Sequence, residues 1–105
     1  MLYYVANNTD SKNPIVLYVG IDGFNRAKNL IRALRKFDPK SSFRAYITRY
    51  EYMWAIQAEE KNKYTDAPSY YLFETWDEAA EFGNANFATF DTDCDIIELN
   101  MLGEK

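Results

Sequence analysis

Two hydrophobic periods alternate along this chain. Residues 2–6 read as a short strand, and residues 7–14 are dense in Asn, Thr, Asp, Ser and Pro, which is turn chemistry. Ile15, Val16, Leu17, Tyr18 and Val19 form an unbroken β-branched and apolar run, the pattern of a central strand buried on both faces. Gly20 to Gly23 ends that run, and Asp22 is placed to cap a helix beginning just after it. From residue 24 the period becomes 3.6. Phe24, Ala27, Leu30, Ile31, Leu34 and Phe37 occupy one arc, while Lys28, Arg32, Arg35 and Lys36 occupy another. This predicts an amphipathic helix over 24–37, stopped by Asp38 and Pro39.

Residues 43–58 fit two periods. Thr48 and Glu51 have the spacing of a capping box, and the following residues favour helix. As a helix, however, the segment scatters its apolar residues around the whole circumference. As a strand it gathers Tyr46, Thr48, Tyr50, Tyr52, Trp54 and Ile56 on one face. Period two is the better match and predicts one long, bent strand. A polar loop over 60–68, a Tyr-rich strand over 69–74 and a helix opened by the box Thr75 to Glu78 come next. That helix reaches Phe82 or Asn86, with Gly83 a candidate early end, and residues 95–101 alternate as a last strand. The order β-β-α-β-β-α-β predicts a single α+β domain over 1–105: an antiparallel or mixed sheet of about five strands with two helices on one face. The strand-to-helix junctions over 19–26 and 73–80 look faintly alike, below the similarity that defines a repeat.

Composition narrows the class. Of 105 residues 48% are apolar and 17% aromatic, enough large rings for a short chain to build a core. No apolar run approaches the roughly 20 residues that span a bilayer, and the first residues lack the basic flank and apolar stretch of a signal peptide. A single cysteine, Cys94, permits no internal disulfide. These features predict a cytoplasmic protein without a membrane partner. Histidine is absent, which removes the commonest general base and metal ligand.

The remaining candidate chemistry fails piece by piece. Asp91, Asp93 and Asp95 open like a calcium loop, but Ile96 stands where that loop needs Gly and Leu102 where it needs Glu. Cys94 lies among those carboxylates, which oppose a thiolate. Gly20 to Gly23 lacks the Lys and Ser/Thr of a phosphate loop. The expectation is a non-enzymatic protein with no metal site and no cofactor.

Charge is the informative surface property. Residues 26–49 hold eight of the twelve basic residues and one acidic residue, Asp38, whereas from Glu51 onward thirteen acidic residues face three basic ones. The blandest account is that these charges pair across the fold or stay solvated. A net charge of −4 argues against a nucleic-acid domain, yet Lys28, Arg32, Arg35 and Lys36 make that the alternative reading. The leading expectation is an acidic protein-interaction module that binds a basic partner through Tyr50, Tyr52, Trp54, Trp76, Asp77, Glu78 and Glu81. Small acidic inhibitors or accessory proteins of phages and mobile elements, acting on host nucleic-acid-handling proteins, work by that logic. A third expectation is self-association, through an exposed strand edge or through pairing of the oppositely charged halves.

Overall fold

The computed structural model describes residues 1–59 and 62–103. It contains β1 (Leu2–Asn7), β2 (Ile15–Asp22), α1 (Phe24–Phe37), β3 (Phe43–Ile47), β4 (Tyr52–Gln57), β5 (Tyr70–Phe73), α2 (Trp76–Asn86), α3 (Thr92–Asp95) and β6 (Ile96–Asn100). All strand pairs are antiparallel, in the order β3-β1-β2-β5-β4-β6. The chain is a compact α+β fold with a Cα radius of gyration of 13.6 Å.

The order resolves into two units of one design. Residues 1–49 run strand, strand, helix, strand, with the first strand in the middle of β3-β1-β2. From residue 50 the chain repeats this, with β4 in the middle of β6-β4-β5 and the single turn α3 added before the last strand. The units join where β2 and β5, equivalent strands, pair at Val16 and Tyr70. Because equivalent strands meet antiparallel, the relation is an approximate two-fold normal to the sheet.

Register confirms that both helices share one face. Val16 and Tyr70 are partners and point the same way, so Leu17 and Tyr71 point the other way. Leu17 packs with Val5, Ala27, Ile31, Leu34 and Phe43 in the core beneath α1. The Tyr71 ring lies 4.9 Å from that of Phe82 on α2, beside a second core of Ile56, Ala79 and Ile96. The helix-free face is covered too. Ala6 and Ala55, at matching places in the two middle strands, are both fully buried, as is Met101. Tyr4 of the first unit shares a cleft with Met53 and Glu74 of the second, and Gly20 lies against Leu102 and Gly103. The helix-free sides therefore fold toward each other, with the helices outside.

Several expectations change. The long strand over 43–58 is two strands, which supplies the sixth. Periodicity registers the alternation of faces but not the turn at Arg49, Tyr50 and Glu51, which contains neither Gly nor Pro. The expected aromatic stripe is divided accordingly: Tyr46 stacks on Tyr4 on the helix-free side at 5.1 Å, whereas Trp54 packs beneath α2. The box at Thr48 and Glu51 does not form, and Thr48 Oγ1 is buried without a partner. The cap of α1 is Gly23, with no side-chain bond, and Asp22 instead lies 3.8 Å from the N-terminal ammonium. The Thr75 cap is present: its hydroxyl accepts the Glu78 N–H at 3.1 Å. Gly83 does not end α2. It is buried there beneath the Phe90 ring, which a Cβ would run into. The turn α3 is the third helix, beyond the two expected. It forms because Asp91 caps it, accepting the Asp93 N–H at 2.9 Å. The polar loop over 60–68 begins outside the described residues.

Candidate functional site: two oppositely charged faces

The charge division coincides with the division into units. Residues 1–49 carry nine basic and three acidic side chains, and residues 50–105 carry three basic and thirteen acidic ones. The design is thus used twice with opposite sign. Ion pairing across the fold does not cancel the charges. Among the described residues the ion pairs are the N-terminal ammonium with Asp22 and Lys63 with Asp38, both on acids of the first unit. No basic side chain of α1 has an ion-pair partner there, and no carboxylate of the second unit has one.

The basic charges converge on a groove. Helical spacing places Phe24, Lys28, Ile31, Arg32 and Arg35 along the side of α1 that borders β3. With Phe43, Arg44 and Ala45 they line a groove of about 290 Å³. Its floor is apolar, and its rim holds three cations, Lys28, Arg32 and Arg35; the guanidinium of Arg44 turns to the helix-free side, over the Tyr46 ring. Phe24 is 55% exposed, with the Lys28 ammonium 5.3 Å from its ring centroid. Three of the four expected cations, Lys28, Arg32 and Arg35, lie in this groove, while Lys36 is exposed elsewhere on α1. Phe43 and Ala45 join them from another element as the apolar wall. Their signal was their place at the start of a strand that must flank the helix, which only topology supplies.

The acidic charges spread over a convex face. Asp77, Glu78 and Glu81 lie on the arc of α2 opposite the buried Ala79 and Gly83, and all three are exposed. Asp77 and Glu78 also complement the positive end of the helix dipole, so part of their presence is structural. Trp76, the first helical residue, is 40% exposed beside them. Tyr52 is 48% exposed on the helix-bearing side of β4. Trp54, two residues on, is half-buried in the second core. Tyr50 is 49% exposed and belongs elsewhere, in a cleft of about 400 Å³ between the units with Tyr4, Tyr46, Arg44, Arg49 and Glu74. Burial, followed by the nearby Tyr46 and Glu74, raises the Tyr4 hydroxyl above its ordinary range.

A strap from the second unit closes over the first. The Tyr64 ring meets Phe37 and Phe43 edge-on, at 5.7 and 5.5 Å. Its hydroxyl donates to Asp38 Oδ2 at 2.7 Å, and the Ser41 hydroxyl donates to the same oxygen at 2.8 Å. Those two bonds, Tyr64 first, hold the Asp38 carboxyl below its ordinary range.

Cys94 is exposed. A hydrogen bond to Asp91 and the charge of the surrounding carboxylates push its thiol upward, away from nucleophilic reactivity. Among the described residues no three His, Cys, Asp or Glu side chains converge on a possible metal position. No described helix is long and apolar enough to cross a membrane. No family model, curated protein sequence or solved structure matches this chain.

Proposed function

We propose that the protein is a non-enzymatic interaction module whose second unit binds a basic surface on a nucleic-acid-handling protein. Trp76 is the aromatic anchor, and Asp77, Glu78 and Glu81 are the charged contacts, with Tyr52 at the margin. The observation that carries this reading is the set of unpaired carboxylates: no described acid of the second unit is in an ion pair with a described residue, and an exposed tryptophan stands among them. Exposed carboxylates held on a rigid helix present negative charge where a basic groove would otherwise meet phosphates. Exposed tryptophan is a preferred interface anchor. An inhibitor or accessory protein of the kind carried by phages and mobile elements fits this surface.

Affinity capture from a bacterial lysate at low salt tests it. The expected result is a retained nucleic-acid-handling protein that is displaced by added duplex DNA. Combined Asp77→Lys, Glu78→Lys and Glu81→Lys should abolish capture, and Trp76→Ala should weaken it at least tenfold, or about 1.4 kcal/mol. Capture that survives the charge reversal, or no retained partner at low salt, overturns the reading.

A further inference from the structure

The groove along α1 needs an occupant of opposite charge, and the same chain carries one. The sheet ends in two edge strands, β3 and β6, each paired on one side only among the described residues. They occupy equivalent places in the two units, beside β1 and β4. In the register, Phe43 opposite Asn7 matches Ile96 opposite Ile56, and Arg44 opposite Ala6 matches Ile97 opposite Ala55. Each open edge offers backbone donors and acceptors to a further strand.

Direction allows the two unlike edges to meet, and charge selects them over like edges. The antiparallel alternation makes β3 run with β4 and against β6. A β3 edge set against the β6 edge of another copy therefore continues the antiparallel sheet and keeps all helices on one side. On that side β3 is flanked by Lys28, Arg32 and Arg35 in the groove. Glu98 is the partner of Trp54, which packs beneath α2, so it points to the same helix-bearing side, and it is exposed at the β6 edge. Asp93, on α3 immediately before β6, is exposed as well. Pairing β3 with β3 would set cations against cations, and pairing β6 with β6 would set carboxylates against carboxylates.

We infer that a second copy of this chain docks head-to-tail, its β6 edge on the β3 edge of the first, with Glu98 and Asp93 entering the basic groove between α1 and β3. The contact is heterologous, so it continues into a chain of copies or closes into a ring. It uses the edge of the second unit and leaves the α2 face of Asp77, Glu78 and Glu81 free. It is therefore independent of the partner proposed above.

Sedimentation velocity of the purified protein tests this. At low ionic strength the average mass should rise above the 12.3 kDa monomer as concentration increases. It should return to the monomer in roughly 0.5 M salt, where the screening length drops to several ångströms. Arg32→Glu with Arg35→Glu makes both edges acidic, and Glu98→Lys with Asp93→Lys makes both basic, so each double variant alone should remain monomeric. Mixed one to one, the two should associate again, because each then offers the edge the other lacks. That recovery also rules out misfolding as the cause of the loss. Reversal of Asp77, Glu78 and Glu81 should leave association intact, which separates this contact from the partner site. A monomer at every concentration in low salt overturns the inference, as does association that the double variants do not change or a mixture that fails to recover. A salt-sensitive gel shift of wild-type protein on duplex DNA, lost in the Arg32 and Arg35 variant, would assign the groove to nucleic acid instead.

Discussion

Both units use one chain path, yet they fill the space between helix and sheet differently. In the first, α1 carries its own filling: Ala27, Ile31 and Leu34 are buried against Val5, Leu17 and Phe43. In the second, the same count from the first helical residue places Ala79 opposite Ala27 but Gly83 opposite Ile31. The missing volume is supplied from outside the helix by Phe90, while Phe87 and Phe82 complete an aromatic layer. Charge diverges more freely still, since Arg26 of α1 corresponds to Glu78 of α2. What the design needs is a small residue where helix and sheet approach and enough volume around it. Which residue supplies the volume, and what sign the outer face carries, are separate choices.

The comparison can be broken most severely where the units meet. Gly20 has φ of 70°, and a Cβ there would lie 2.5 Å from the Leu102 carbonyl oxygen. Neither backbone conformation nor space admits a side chain, so Gly20→Ala is expected to cost about 2–4 kcal/mol in denaturant unfolding. Gly23→Ala controls for the backbone term alone, because Gly23 has φ of 98° and a Cβ there would meet nothing within 4 Å. Equal losses at the two positions would refute the importance of the close approach.

A smaller effect separates the helices. Of α1 and α2 only α2 has a side-chain N-cap, so Thr75→Ala should cost about 1 kcal/mol. Gly23→Ser, which offers α1 a capping side chain at a positive-φ position, should give no compensating gain. A stabilised Gly23→Ser protein would show that the difference is one of composition rather than backbone geometry.

The smallest effect belongs to the strap on the first unit, and pH reveals it. Tyr64 and Ser41 lower the Asp38 carboxyl, so its contribution is complete above the unfolded value of about 3.9 and is lost as pH falls through the lower folded value. Asp38→Asn should therefore lower Tm at pH 7, and the gap from wild type should narrow as the solution is acidified below pH 4. A gap that is constant across that range would mean the loss is one of packing rather than of the ionised carboxylate.

Some of this was legible in the residues. The helix over 24–37 has the bounds its periodicity gives, because alternating apolar and basic arcs leave one solution. The Thr75 cap was legible because its chemistry is local. The division of 43–58 was not, since two consecutive strands without Gly or Pro between them keep the period of one. The duplication showed only as a faint likeness between 19–26 and 73–80, because packing preserves spacing and size while surface charge is free to invert. The basic groove was half legible: helix spacing gave Lys28, Arg32 and Arg35, but its apolar wall of Phe43 and Ala45 enters through strand order, which no local pattern encodes.

The strand ladder between the units is one paired position, Val16 with Tyr70, helped by the Tyr64 strap and the approach of Gly20 to Leu102, and the turn from β3 to β4 spans only residues 48–51. Two separate chains could not hold together through so small a ladder. Tethered this closely, each unit experiences the other at an effective concentration on the order of millimolar or above, and a contact too weak to assemble a dimer is enough to close a fold.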